Sequence, residues 1–179
     1  MSHVQPALLG LFVLPPPAAR AKVFAQAARL IDAGIVDAAL IGGVDTLCGS
    51  VLFGFNALGL VSQQPCLPFD TRRDGLSLGE AGGYALLERL DDESRGLRLC
   101  GYGESSDAHR MSTPHPEGLG ARLAMQEALM RAGIDADAVG YLNLHGTATP
   151  ANDTIEASAV RGLFGERLHA SSTKGWTGH

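Results

Sequence analysis

One apolar segment constrains the fold of this chain more than any other, and it runs from Ala38 to Val44 between Asp37 and Asp45. A short run without polar side chains is typical of a strand covered by layers on both faces. The preceding residues 21–33 repeat apolar side chains at helical spacing and end before Gly34, which predicts a helix. Helix, turn and buried strand are half of a βαβ unit. The sequence therefore predicts an α/β layered protein.

The composition of the 179 residues agrees with this class. Hydrophobic residues make up 45% of the chain, and 23 glycines with only 6% aromatic residues suit tight turns and close packing. The net charge of -5 provides no basic surface for a phosphate backbone, so nucleic-acid binding is not expected. The chain has no apolar run of the ~20 residues that a membrane span needs, and its three cysteines lack metal-site spacing. We expect a cytoplasmic protein without a metal or cofactor.

Residues 1–20 differ from the rest because they contain an apolar patch followed by three consecutive prolines. Proline removes backbone donors and stops helices, so we predict an extended, loosely attached arm before a domain at 21–179. We expect this arm to be either disordered or unrelated in origin to that domain. Within that domain, hydrophobic periodicity and breaker residues place the remaining elements. We predict helices at 51–60, 116–133 and 152–164, and loops at 63–74 and 174–179. We predict strands at 82–88, 97–103, 140–144 and 168–172. The strand at 97–103 is expected to be antiparallel to the strand at 82–88.

Each of the two predicted strands at 140–144 and 168–172 is followed by a segment that contains a histidine and other polar side chains. His145 is followed by Thr147 and Thr149, and His179 lies five residues after Lys174 on a loop that contains glycines. The carboxyl ends of strands are where α/β sheets bind ligands. A histidine in this position often only hydrogen-bonds its local backbone, so one cluster alone would not indicate a site. Together they predict that His145, Lys174 and His179 converge, with the two rings within about 10 Å.

These segments resemble the two histidine motifs of the β-ketoacyl synthase (condensing enzyme) family, His-Gly-Thr-x-Thr and Lys-x-x-x-x-His. The resemblance covers residues 21–179 and is closer to the bacterial stand-alone elongating synthases than to the modular polyketide type. The further matches are Pro68-Phe69-Asp70, Arg73-Asp74-Gly75, Gly79-Glu80 and Ser105-Ser106-Asp107-Ala108. The resemblance implies a thiolase-like αβαβα layered fold. Because family members are much longer, it also implies an incomplete fold, with part of the N-terminal half and the start of the C-terminal half.

The resemblance assigns roles to both histidines and both threonines. His145 and His179 would hydrogen-bond the thioester oxygen of a malonyl group and stabilise the enolate that decarboxylation leaves. This role suits neutral imidazoles that donate from Nε2. Thr147 and Thr149 would hold the phosphopantetheine arm of the substrate through their hydroxyl groups.

The resemblance also assigns roles to Lys174, Glu156 and Asp153. Lys174 would organise the charge around the histidines with Glu156 as its partner, and Asp153 would support them from the same helix. An alternative is that Glu156 is a solvated acid in the first turn of that helix, where carboxylates favour the helix dipole.

The chain departs from the family at the nucleophile. The family has a reactive cysteine at the amino end of the helix that begins near Ala21, where the helix dipole lowers the thiol pKa. The corresponding position here is Pro17. Cys48, Cys66 and Cys100 lie in apolar or proline-containing segments, so we interpret them as packed or incidental thiols and expect no nucleophile.

The implied function is that of a 3-oxoacyl-[acyl carrier protein] synthase, which condenses an acyl chain with a malonyl group on acyl carrier protein in fatty acid or polyketide synthesis. Without the nucleophile this chemistry would be impaired. Acyl carrier protein and a second synthase subunit, identical or not, are the implied partners. The alternative is a catalytically silent fragment that only binds a partner synthase or acyl carrier protein.

Two other motifs give weaker hypotheses. Ser171-Ser172-Thr173-Lys174 fits the Ser-x-x-Lys motif of β-lactamase-type enzymes, but Gly175 follows directly, whereas that serine must begin a helix. The companion motifs Ser-Asp-Asn and Lys-Thr-Gly are absent from the sequence. Gly101-Tyr102-Gly103 lacks the third glycine of a dinucleotide-binding loop. We therefore expect neither activity.

Overall fold

The computed structural model describes residues 4–5, 19–90, 96–109 and 114–179. The elements in chain order are β1 (Val4–Gln5), α1 (Ala19–Asp32), β2 (Ala38–Asp45), α2 (Gly49–Ala57), β3 (Ala81–Arg89), α3 (Leu119–Ala132), a 3₁₀ turn (Ala136–Ala138), β4 (Tyr141–Asn143), α4 (Pro150–Phe164), β5 (His169–Ser171) and α5 (Lys174–Thr177). The α/β class predicted from the sequence is confirmed.

The N-terminal sheet contains β1, β3 and β2 in that order, and both pairings are antiparallel. β2 and β3 pair along their whole length, with Leu40 opposite Leu86. α1 covers one face of this sheet, where Ile31 packs against Ile41 and Leu87. This packing explains the apolar spacing of the helix, because only its sheet-facing side is buried.

The opposite face of the N-terminal sheet is exposed. Leu40 is 73% exposed, Val44 58% and Tyr84 73%. Side chains alternate between the two faces of a strand, so these residues point away from α1. The predicted strand at 38–44 is therefore confirmed, but its predicted burial on both faces is wrong.

The predicted strand at 97–103 does not form, and β3 pairs with β2 instead. Two glycines give the physical reason, because the segment runs directly across α3. A Cβ on Gly101 would lie 2.3 Å from the carbonyl oxygen of Ala128, and one on Gly103 would lie 1.8 Å from that of Ala124. The glycines serve close backbone approach to a helix and not strand pairing.

The C-terminal layer is built on the parallel pair β4 and β5, with Tyr141 opposite His169. Met125 of α3, Leu142 of β4 and Phe164 of α4 belong to its buried core. These elements agree with the helices and strands predicted for this part of the chain. The predicted loop at 174–179 is wrong in part, because Lys174–Thr177 forms the short helix α5.

A polar cluster joins the two layers. The guanidinium groups of Arg29 on α1 and Arg131 on α3 lie 5.1 and 4.2 Å from the centre of the Tyr102 ring. Arg29 also forms an ion pair with Glu104. The cluster fixes the first helix against the C-terminal layer through contacts that are partly exposed.

The predicted N-terminal arm is described only at Val4–Gln5, which lies along β3 as β1. Pro17 lies outside the described residues, and α1 begins at Ala19. The division into an arm at 1–20 and a domain at 21–179 thus stays a prediction. Among the helices that the structure describes, none has the length and apolar character to cross a bilayer.

Candidate active site

The two predicted histidine motifs meet beyond the carboxyl ends of β4 and β5. The ring centroids of His145 and His179 lie 5.4 Å apart, with the rings inclined at 68°. This separation is within the limit of about 10 Å that a shared thioester oxygen allows. The structure therefore brings both imidazoles to one place.

The backbone of His179 is fixed by the loop that precedes β3. Its N–H donates to the carbonyl oxygen of Ser77 at 2.7 Å, and its own carbonyl accepts from the N–H of Gly79 at 3.0 Å. A Cβ on Gly79 would lie 2.1 Å from the carbonyl oxygen of Thr177, so the two chain segments touch backbone to backbone. The ring of Phe55 lies 5.4 Å from that of His179 and completes this side of the site.

The His145 imidazole is neutral at physiological pH. The pKa of His145 is lowered to about 3, mainly by burial and in addition by the nearby charges of Lys174 and His179. A neutral imidazole carries one N–H donor. Its Nδ1 atom is buried and has no hydrogen-bond partner among the residues that the structure describes.

Lys174 contacts the backbone of the first motif. Its Nζ donates to the carbonyl oxygen of His145 at 2.6 Å. Burial lowers the pKa of Lys174, while the charges of Glu156, Cys66 and Asp153 act in the opposite direction. Glu156 thus influences Lys174 through its charge, while the ammonium group gives its hydrogen bond to His145.

Glu156 holds the turn that carries His145. Its carboxylate accepts hydrogen bonds from the backbone N–H groups of His145 at 2.6 Å and Gly146 at 2.8 Å. The residue is only 8% exposed, and burial raises the pKa of its carboxyl group. The alternative of a solvated first-turn acid is therefore wrong.

Asp153 holds two residues in an unusual backbone conformation. Its Oδ2 accepts from the N–H of Phe69 at 2.7 Å, and its Oδ1 accepts from the N–H of Ala148 at 3.2 Å. Phe69 and Ala148 have φ angles of 62° and 64°, which residues with a side chain adopt at an energetic cost. Asp153 is 1% exposed, with the Arg73 guanidinium 3.9 Å away. Sequence reasoning missed this connection, because no local pattern links residue 69 to residue 153.

The two threonines hydrogen-bond each other. The Oγ1 atoms of Thr147 and Thr149 are 2.8 Å apart, and the N–H of Thr149 lies 3.3 Å from Thr147 Oγ1. Thr147 is buried, so its hydroxyl stabilises the loop after His145. Binding of a phosphopantetheine arm by these hydroxyls stays a prediction.

The three cysteines lie in different environments. Cys66 is buried, with its thiol 3.8 Å from the carbonyl oxygen of Thr147, whereas Cys48 and Cys100 are exposed. The Ser50 hydroxyl, and after it the Val51 N–H, lower the pKa of the Cys48 thiol. The interpretation as a packed thiol fits Cys66 alone. Within the described ranges, no cluster of three or more histidine, cysteine or acidic side chains could hold a metal ion.

Comparison with known proteins agrees with this geometry. Residues 18–93 match the family model of the β-ketoacyl synthase N-terminal domain, and residues 98–179 match that of the C-terminal domain. The chain is 38% identical over 168 residues to a 3-oxoacyl-[acyl-carrier-protein] synthase 2 from Staphylococcus aureus. That match covers 86% of this chain and 42% of the relative, so the chain spans less than half the length of this curated protein.

Solved structures show the same relationship. A ketosynthase from Xenorhabdus doucetiae, in complex with its chain length factor, superposes with a TM-score of 0.86 at 45% identity, covering 90% of this chain and 40% of that one. A type II polyketide ketosynthase in complex with its acyl carrier protein superposes with a TM-score of 0.83 at 29% identity, covering 90% and 44%. The motifs, the paired imidazoles and these matches together place the chain in the β-ketoacyl synthase family, as a partial thiolase-like fold.

Proposed function

We propose that this chain carries the malonyl-thioester site of a 3-oxoacyl-[acyl carrier protein] synthase. The observation that carries the proposal is the pair of imidazoles, His145 and His179, with ring centroids 5.4 Å apart. The low pKa of the His145 ring is compatible with this role, because a neutral imidazole still has one N–H to donate to a developing enolate oxygen.

The reaction begins when the thioester oxygen of a malonyl group accepts hydrogen bonds from both imidazoles. The bond between the malonyl carboxylate and the α-carbon then breaks, carbon dioxide leaves, and the electron pair forms an enolate whose oxygen stays between the rings. Lys174 and Glu156 hold the His145 backbone from two sides. Thr147 and Thr149 line the approach of the phosphopantetheine arm.

The enolate attacks an acyl group on a cysteine in the family reaction, and this second step is impaired here. The expected nucleophile position is Pro17, which cannot form a thioester. Decarboxylation needs no thiol, so it is the activity we expect to survive.

The partners we propose are an acyl carrier protein with a malonyl group and a second synthase subunit in the cytoplasm, for fatty acid or polyketide synthesis. The structures of relatives in complex with a chain length factor or an acyl carrier protein support this proposal. The assignment of residues 98–179 to the C-terminal domain family, which includes both histidine motifs, supports it as well.

Release of carbon dioxide from malonyl-acyl carrier protein tests the proposal. His145→Ala and His179→Ala should each lower the rate by ~10²-fold, because each removes one donor to the enolate oxygen. His169→Ala is the matched control, since His169 is exposed on β5. Release at the parent rate in both site variants would contradict the oxyanion role.

Mass measurement of the intact protein tests the missing nucleophile. After incubation with an acyl thioester, we expect no stoichiometric acyl adduct and no condensation product. An adduct on Cys48, Cys66 or Cys100 that supports condensation would show that the nucleophile lies elsewhere.

The second candidate function is a catalytically silent partner for another synthase. The exposed apolar face of the N-terminal sheet favours it, because large apolar surfaces in soluble proteins are commonly interfaces. Folded protein that forms a stable complex with a synthase subunit and releases no carbon dioxide would support this candidate over the first.

A further inference from the structure

The side chain of Ser172 lies between the two histidine motifs. Its Oγ is 3.1 Å from the carbonyl oxygen of Gly146 and 3.4 Å from that of His145, and it donates toward them. The same oxygen accepts from the backbone N–H of Lys174 at 3.2 Å. One hydroxyl group therefore connects the turn that carries His145 to the turn that carries Lys174.

The Ser172 hydroxyl lies just beyond the last backbone hydrogen bond between the β4 and β5 segments. The last ladder bond between the two segments runs from the N–H of Leu144 to the carbonyl oxygen of Ser171, at 2.8 Å. Beyond it the chain turns away at Gly146, whose φ angle is 46°. A Cβ on Gly146 would lie 2.4 Å from Ser172 Cβ, so the two turns are in direct contact. The Ser172 hydroxyl supplies the next hydrogen bond in place of a backbone N–H.

Lys174 adds a second side-chain contact between the two turns, since its ammonium group donates to the carbonyl oxygen of His145. The turn from residue 172 to residue 174 thus supplies a donor to each of two successive carbonyl groups. If the hydroxyl is removed, the Lys174 N–H loses its acceptor and the Gly146 carbonyl loses its donor.

We infer that Ser172 is a positioning residue, whose hydroxyl fixes the turn carrying Lys174 against the backbone of His145. Ser172 acts through these two residues and not on the substrate. The consequence for catalysis rests on the proposed function, but the consequence for Lys174 does not.

Lysine NMR tests the inference directly, because the chain contains only two lysines, Lys22 and Lys174. In protein labelled with 13C-lysine, the exposed Lys22 serves as an internal reference. Lys174 is partly buried and faces Glu156, Asp153 and Cys66 as well as the His145 ring. Release of its turn exposes the ammonium group to water.

The matched pair is Ser172→Thr and Ser172→Val, which have the same shape and differ in one hydroxyl. We expect the pKa of Lys174 to rise toward its ordinary value in the valine variant, because hydration favours the charged ammonium group. The threonine variant should titrate like the parent. Ser171→Ala is the control, since the Ser171 hydroxyl bonds to Tyr141 and not to either turn.

An identical Lys174 titration in the threonine and valine variants would overturn the inference. Amide spectra show whether both variants are folded. If either is not, Ser172→Ala replaces the pair, and a Lys174 titration equal to that of the parent then overturns the inference in the same way.

The kinetic readout separates this inference from the proposed function. Decarboxylation by the valine variant should be about tenfold slower than by the threonine variant, with KM nearly unchanged, because a turn without this hydroxyl holds the His145 donor less well against the developing enolate oxygen. A parent protein that releases no carbon dioxide would contradict the proposed function, while the lysine titration would still decide the role of Ser172.

Discussion

The N-terminal sheet and the C-terminal layer of this chain differ in what their buried and exposed positions contain. The sheet exposes apolar residues such as Leu40 and Tyr84, each 73% exposed. The C-terminal layer instead buries carboxylates, with Asp153 at 1% and Glu156 at 8% exposure. Exposed apolar side chains are unfavourable unless another surface covers them, and buried carboxylates are unfavourable unless hydrogen-bond donors satisfy them.

Among the described residues, only the C-terminal layer contains the groups that offset this cost. Asp153 and Glu156 each accept backbone hydrogen bonds from loops of the candidate site, so their charges are satisfied within the described structure. The apolar face of the sheet has no such partner among the described residues on the side away from α1. The comparison shows that the polar framework of the site is contained in this chain, whereas the cover of its first sheet is not in the described part.

Substitution of Asp153 should have the largest effect on stability. Asp153→Asn keeps the shape but leaves one of the two backbone N–H groups, of Phe69 or Ala148, facing an amide donor. We expect the free energy of unfolding to fall by about 3 kcal/mol, measured by urea denaturation. Asp137→Asn, at an exposed position, is the control. A change below about 0.5 kcal/mol would show that the buried carboxylate does not hold the site.

Acid should destabilise the C-terminal layer through His145. The folded-state pKa of His145 is lowered from 6.5 to about 3, so folding favours the neutral ring. This stability is present above the unfolded-state pKa and is lost as pH falls from about 6.5 to about 3. Between pH 7 and pH 5 we expect a loss of about 2 kcal/mol from this group. In His145→Gln, which has no imidazole to titrate, urea denaturation should not show this acid-dependent loss of unfolding free energy. An equal loss in the parent and in the variant would mean that another group causes it.

The smallest effect should come from the exposed sheet face. Leu40→Thr should change the free energy of unfolding by less than about 0.5 kcal/mol, because the side chain is already in water. Its neighbour Ile41 faces α1, and Ile41→Thr should cost roughly 2 kcal/mol. Equal costs at both positions would mean that the outer face is covered in solution. Sedimentation of the two variants would then show whether a second copy provides the cover.

Much of this architecture could be predicted from the sequence because the signals are local. The helices α1, α3 and α4 follow from apolar periodicity with glycine stops, and the strands β4 and β5 lie within the short segments predicted at 140–144 and 168–172. The convergence of His145 and His179 followed from their positions after those strands. Periodicity and the order of elements along the chain do not depend on distant side chains, so they can be judged one segment at a time.

The remaining features could not be predicted because they depend on contacts between distant segments. The segment around Gly101 and Gly103 could be a loop or a strand by its residue types. Only the path of α3 shows that these glycines allow the segment to approach the helix backbone closely. The hydrogen bond from Lys174 to the carbonyl of His145 involves a backbone atom, which no residue pattern marks. The left-handed conformation of Phe69 depends on Asp153, far away in the sequence.

The backbone contact at Gly79 has a consequence for protein engineering. Because Gly79 touches Thr177 and hydrogen-bonds His179, the N-terminal domain sets the position of an imidazole that belongs to the C-terminal domain. The residue at position 79 therefore acts as a spacer between the domains. Alanine, serine or a larger residue there would clash with the carbonyl oxygen of Thr177, so we expect the backbone near His179 to shift and the separation of the two imidazoles to change without alteration of either histidine.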